Sequence, residues 1–134
     1  MKYLLDTNIC IYIIKQKPSW VVKRFSAHAI DSIGLSTVTV SELSYGVAKS
    51  PKRTQNGQAL QEFLLPLRIA PYDSRAAEIY GPIRATLEQA GNPIGPLDTM
   101  IAAHASSLDV TLVTNNVAEF SRVAGLRIEN WASG

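Results

Sequence analysis

The chain has 134 residues, of which 46% are hydrophobic and 18% charged, with a formal charge of +2. That is one domain's worth of chain with enough apolar residues for a continuous core, so a single domain over 1–134 is expected; a disordered segment and a strongly basic nucleic-acid tail are excluded. No apolar run approaches the roughly 20 residues needed to cross a bilayer, and the start does not read as a charged region followed by a long apolar one, which predicts a cytoplasmic protein with no membrane partner.

The chain opens on Lys2-Tyr-Leu-Leu-Asp-Thr-Asn8. An apolar run this short is stable only when covered on both faces, which favours a central strand of a parallel sheet with Asp6 at its carboxyl end. In open α/β sheets that edge is where ligands bind. Ile9, Cys10, Tyr12, Ile13 and Ile14 predict a helix ending near Lys15 and capped by Asp6 or Asn8. The single cysteine, Cys10, has no partner for an internal disulfide and reads as a small core residue. Pro18 suits the first turn of a second helix, with Val21, Val22 and Phe25 as its apolar stripe and His28 at its end. Ile33 to Ser36 is a second strand passing quickly into a helix, where Glu42 lies near the start and Leu43 and Val47 share a core face.

The polar segment from Lys49 to Gly57 reads as an exposed loop. Leu60, Phe63, Leu64 and Leu67 have helical spacing, and Arg68 to Tyr72 reads as a third strand. A longer helix is expected from Ser74 to Ala90 on the pattern Ala77, Tyr80, Ile83, Arg84 and Leu87, with a kink or break at Gly81-Pro82. The rigid loop from Gly91 to Pro96 opens a helix with Asp98 in its first turn and His104 packed within it. Val110 to Thr114 is a fourth strand, Asn115-Asn116 its turn, and Val117, Phe120 and Val123 a short helix ended by Gly125. Leu126 to Ile128 gives the last strand. About five strands alternate with helices, which is the α/β signature: a three-layer α/β/α sandwich with a mainly parallel sheet.

Asp6, Glu42 and Asp98 share a position type, and Asn116 with Glu119 occupies the equivalent place after the fourth strand. In a parallel sheet these points lie along one edge. Each acid taken singly is explained as a helix cap or a first-turn acid; their recurrence is what points to chemistry. Carboxylates brought together repel unless a cation sits between them. With no cysteine or histidine cluster, the cation implied is Mg²⁺, with Mn²⁺ the other hard ion of this kind. Such a site suits phosphodiester hydrolysis. Asn8, Thr114 and Asn116 are candidates to orient water or phosphate. Phosphate contacts could come from Lys15, Lys17, Lys23, Arg24, Lys49, Lys52, Arg53 or Arg84, none of them singled out by position, so the residues that bind a polyanion stay unknown.

The segments Leu4-Leu-Asp-Thr-Asn8, Ser41-Glu-Leu-Ser-Tyr-Gly46, Gly95-Pro-Leu-Asp-Thr-Met-Ile-Ala-Ala-His-Ala105 and Val113-Thr-Asn-Asn116 followed by Glu119-Phe120 resemble, in this order and spacing, PIN-domain ribonucleases and more closely the VapC toxins of toxin–antitoxin pairs. The likeness extends to the closing run from Gly125 to Trp131. It implies a PIN-like fold and a Mg²⁺-dependent endoribonuclease, neutralised by a VapB antitoxin and forming homodimers and higher toxin–antitoxin assemblies. Its expected substrate is tRNA, with the anticodon stem-loop of initiator tRNA as the best guess. By position, Asp6 and Asp98 match the family's principal metal ligands and Glu42 its additional acid. Many PIN domains have a further Asp where this chain has Asn116; one firmly held metal is therefore expected and a weaker second one, with Glu119 helping through a water.

Two other readings compete. Asp6 could be the nucleophile of a phosphotransferase that forms an aspartyl-phosphate, although the acid expected two residues later is Asn8. The chain could also be a non-catalytic RNA- or protein-binding module that has kept the fold. Tyr12, Trp20 and Phe25 are candidates for an exposed face that would suit a dimer, with core packing the default for each.

Overall fold

The computed structural model describes residues 1–133. Five strands, β1 (Tyr3–Leu5), β2 (Ile33–Ser36), β3 (Arg68–Ala70), β4 (Thr111–Val113) and β5 (Ile128–Glu129), form one sheet in the order β3-β2-β1-β4-β5. Every pairing is parallel. All five carboxyl ends therefore share one edge, and β1 lies at the centre of the sheet, as its apolar run requires.

Helices cover both faces: α1 (Thr7–Lys15), α2 (Ser19–Ser26), α3 (Thr37–Ala48), α4 (Arg53–Leu64), α5 (Ser74–Gln89), α6 (Pro96–Leu108) and α7 (Val117–Phe120). Successive side chains of a strand point to opposite faces, and β1 divides the interior accordingly. Leu5 joins Ile9, Ile13, Val21, Leu43 and Leu60 in one core, beneath α1 to α4. Leu4 joins Leu87, Ile101, Ala102, Ala105 and Phe120 in the other, beneath α5 to α7. Cys10 is buried in the first core, as a small apolar residue should be.

Gly34 in β2 is there because of close packing. A Cβ at this position would stand 2.6 Å from the carbonyl oxygen of Arg68 on the neighbouring strand and would also run into Met1 Sδ. The final segment is fastened to α2: Trp20 Nε1 donates to the Ala132 carbonyl at 2.5 Å and Arg24 Nη1 to that of Asn130 at 3.0 Å. Trp131 is fully buried and stacks on His28 at 4.6 Å between ring centroids.

Several sequence expectations need correction. The Gly81-Pro82 pair does not break α5, which runs continuously from Ser74 to Gln89. Both residues are exposed, so the carbonyl that Pro82 leaves without a donor can bond to water, and packing on α6 holds the helix together. Its buried positions are Ala76 and Leu87; Ala77 is exposed. The loop expected from Lys49 to Gly57 is shorter, because α4 already begins at Arg53. The last short helix stops at Phe120, with turns leading to Gly125. Core packing, the default for the three aromatic residues, holds for the half-buried Tyr12 and Phe25 but not for Trp20, which is exposed.

Candidate active site

Asp6 follows β1 directly and occupies the N-cap of α1. Its Oδ1 accepts the backbone N–H of Ile9 at 2.9 Å, so the capping role foreseen for it is real. Its other oxygen, Oδ2, accepts the hydroxyl of Thr114, the residue just past β4. Thr114 in turn accepts the backbone N–H of Asn116 at 2.9 Å. The hydroxyl thus ties the ends of two adjacent strands to one carboxylate. Asp6 is only 5% exposed. Burial pushes its carboxyl up, the hydrogen bonds from Thr114, Ile9 and the Asn8 backbone oppose this, and Glu42 adds to the upward push.

Glu42 stands in the second turn of α3, half-buried and one turn deeper than its sequence context suggested. Thr7 Oγ1 donates to its Oε1 at 2.7 Å, across 35 residues of chain. Asp98 is the third residue of α6, whose start is set by Pro96 at the first helical position. A helix amino terminus favours an ionised acid, yet the Asp98 carboxyl is pushed up from 3.8 to about 7. Burial contributes most, followed by the charge and hydrogen bond of Glu119, then by the charges of Glu42 and Asp6.

Glu119, on α7, is held from two sides. Its Oε2 accepts the side-chain amide of Asn116, and its Oε1 accepts the Gly95 backbone N–H at 3.3 Å. Asn116 therefore positions an acid rather than supplying the charge of the Asp that many PIN domains carry there. The fourth carboxylate is Glu119, directly beside Asp98.

Asp6, Glu42, Asp98 and Glu119 thus face one another, and no Lys, Arg or His is among the groups that perturb Asp6 or Asp98. Among the described residues, no three acidic, histidine or cysteine side chains stand close enough to enclose an ion by themselves. The donor set nevertheless fits a hard divalent cation. It consists of oxygens alone, and the repulsion that adds to burial in raising the Asp98 carboxyl is relieved either by a proton or by a cation.

Asn8 is exposed and supports Asp6 only through its backbone N–H. His104 is buried, with Nδ1 2.8 Å from Ser36 Oγ, and plays the packed role expected of it. Arg84 is engaged by Tyr80 and Glu88 on its own helix, and Arg24 by the closing segment. Sequence reading assigned no role to Thr7 or to the Gly95 N–H. Both act on acids that only the assembled sheet edge brings within reach. The nucleophile reading of Asp6 fits poorly, because both its oxygens accept hydrogen bonds and the group is almost wholly buried.

An all-parallel α/β sheet with four acids along its carboxyl edge suits carboxylate-dependent phosphodiester chemistry. Residues 3–126 match the PIN domain. A tRNA(fMet)-specific endonuclease VapC from Shigella flexneri is 45% identical to the chain over 98% of it and 99% of the relative. One of the same name from Salmonella typhimurium is 43% identical, covering 98% of each. Among solved structures, a DNA-bound VapBC from Salmonella typhimurium superposes with a TM-score of 0.92 at 43% identity, covering 98% of each chain. VapBC2 from Rickettsia felis, bound to a DNA fragment from its promoter, gives 0.92 at 41% identity over 98% of this chain and 99% of that one. The chain belongs to the PIN-domain family, within its VapC branch. PIN-domain nucleases are in general dependent on a divalent metal.

Proposed function

We propose that this chain is the toxin of a VapBC-type toxin–antitoxin pair: a Mg²⁺-dependent endoribonuclease that acts as a single domain on cytoplasmic tRNA, with the anticodon stem-loop of initiator tRNA as its target. The observation that carries this reading is the four-acid cluster, in which Asp98 is driven to about 7 by burial and by Glu119, Glu42 and Asp6. The names of the Shigella and Salmonella relatives support the tRNA assignment. The VapBC assemblies support a VapB-type antitoxin as partner, and we extend the proposal to a toxin homodimer within that assembly. No helix among the described residues is long and apolar enough to cross a membrane, in keeping with a cytoplasmic site of action.

Asp6 and Asp98 would hold the cation, with Glu119 helping through a water. When bound, the ion would neutralise the phosphoryl oxygens and acidify the attacking water. Thr114 fixes Asp6 through Oδ2 while the Ile9 N–H fixes Oδ1. Thr7 fixes Glu42 through Oε1, which leaves Oε2 to accept a proton from the water as it attacks phosphorus and a ribose oxygen leaves. Asn116 and the Gly95 N–H hold Glu119 against Asp98.

End-mapping of total RNA after brief expression without antitoxin tests the reading. New ends within the anticodon stem-loop of initiator tRNA, absent for Asp6→Asn, are expected. New ends confined to another RNA would overturn the substrate assignment, and none at all would overturn the nuclease.

A further inference from the structure

Beside the acids lies a cleft of about 580 Å³ that shares Thr7 and Glu42 with the site described above and is otherwise lined by residues that site does not use. Thr7, Val38 and Glu42 are part of its lining, and it lies between α3 and the start of α6. One wall carries Tyr45, three residues after Glu42 and so on the same face of α3. Tyr45 is 66% exposed, unusual for an aromatic side chain of a small domain. The ammonium of Lys49, one turn further on, sits 4.9 Å from the Tyr45 ring centroid. A lysine over one face of a ring this exposed leaves the other face to solvent. The lining also includes Leu97, 47% exposed and immediately before Asp98, and Met100.

Neither core accounts for these side chains. Tyr45 and Leu97 lie outside both buried clusters and outside the groups packed against them. An exposed ring and an exposed leucine lining one cleft together with a catalytic acid suit a flat, apolar-faced ligand whose attached charge is negative. Lys49 is the only basic residue lining the cleft.

We propose that Tyr45 is the stacking platform for an unpaired base of the RNA next to the scissile phosphate, with Leu97 closing the slot and Lys49 steadying the ring and the adjoining phosphate. This rests on the ribonuclease reading above. Sequence-specific RNA recognition favours unstacked bases in loops, splayed onto aromatic side chains. A stacked base here would fix the register of the strand over Glu42 and Asp98 without base-edge hydrogen bonds. The preference it produces is therefore for a looped, unpaired nucleotide at the cut rather than for one base identity.

The test is steady-state cleavage of an RNA stem-loop spanning the mapped cut by wild type, Tyr45→Ala, Tyr45→Phe and Tyr45→Trp, together with stopped-flow fluorescence of the same RNA carrying 2-aminopurine beside the cut. Tyr45→Ala should lower kcat/KM by about 5- to 150-fold, mainly through KM, the range found when a base-stacking aromatic is removed. It should also abolish the 2-aminopurine quenching that precedes cleavage, with thermal stability unchanged. The Phe and Trp variants should retain both. Equal kcat/KM and quenching for Tyr45→Ala and an active wild type would overturn this inference alone. So would a Tyr45→Phe variant as impaired as the Ala variant, since the hydroxyl and not the ring would then matter. Loss of antitoxin affinity in Tyr45→Ala with cleavage unchanged would give the cleft to the protein partner and likewise overturn it. A wild type that cleaves no RNA would overturn the nuclease reading, and this inference with it.

Discussion

Replacing Asp98 with Asn should stabilise the metal-free protein at neutral pH while destroying its activity. The folded-state carboxyl titrates at about 7 against an ordinary 3.8, so between these values folding takes up a proton. The stability that neutral Asp98 contributes is fully present below about pH 4 and is lost as pH rises through 7. At 1.36 kcal/mol for each pH unit, the unscreened cost of ionising it in the fold is about 4 kcal/mol. Asp98 is half-exposed, and screening by solvent reduces this to on the order of 1–2 kcal/mol. Asn removes the charge, keeps the shape and can still donate to Glu119. With an unfolding entropy of about 2.1 cal/mol/K per residue, the gain corresponds to roughly 4–7 °C in Tm. Thermal melts in EDTA at pH 8 and at pH 4.5 measure it: Asp98→Asn should melt higher at pH 8, and the difference should shrink at pH 4.5. Adding Mg²⁺ at pH 8 should raise the wild-type Tm and have much less effect on the variant. An equal or lower Tm for the variant in EDTA at pH 8 would refute the claim that burial and the neighbouring acids disfavour ionised Asp98 in the folded state.

Thr114→Val should leave the buried Asp6 short of one hydrogen bond, costing about 1–3 kcal/mol in a denaturant melt and weakening Mg²⁺ binding by calorimetry, with Thr114→Ser close to wild type. A Val variant equal to wild type in both would remove Thr114 from the site. Thr7→Val should lower kcat with little change in KM, because Glu42 loses the donor that orients it; a change in KM alone would count against that role. Gly34→Ala should destabilise by about 1–3 kcal/mol, because its Cβ meets the Arg68 carbonyl oxygen, a backbone atom of the neighbouring strand with little freedom to move. Unchanged chemical denaturation would show that β2 and β3 can separate at no cost.

The sheet was legible because its strands are short apolar runs bounded by turns, and because the acids that end or follow them fall at matching points. Asp6 could be placed at the sheet edge from five preceding residues alone. Its partnership with Thr114 spans 108 positions, and only the adjacency of β1 and β4 makes it visible. Glu119 was recognised as a carboxylate one turn past Asn116, but its direct approach to Asp98 depends on the Gly95 N–H and the Asn116 amide, two contacts that leave no periodic trace. The kink or break expected in α5 followed from a local rule for Gly-Pro; no break forms, because the proline faces solvent and α5 packs along α6. Sequence periodicity likewise could not distinguish Ala76 from Ala77 as the buried position, since alanine satisfies either side of that helix.

The central claim is that four carboxylates at the end of a parallel sheet cut RNA with the help of a divalent cation. Incubation of purified initiator tRNA with wild-type protein, Asp6→Asn and Asp98→Asn, each in Mg²⁺, in EDTA and in EDTA back-titrated with Mg²⁺, tests it most directly. Cleavage by the wild type that is lost in EDTA, restored by Mg²⁺ and absent from both variants is expected. Cleavage that persists in EDTA or in Asp98→Asn, or phosphate trapped covalently on Asp6, would contradict it.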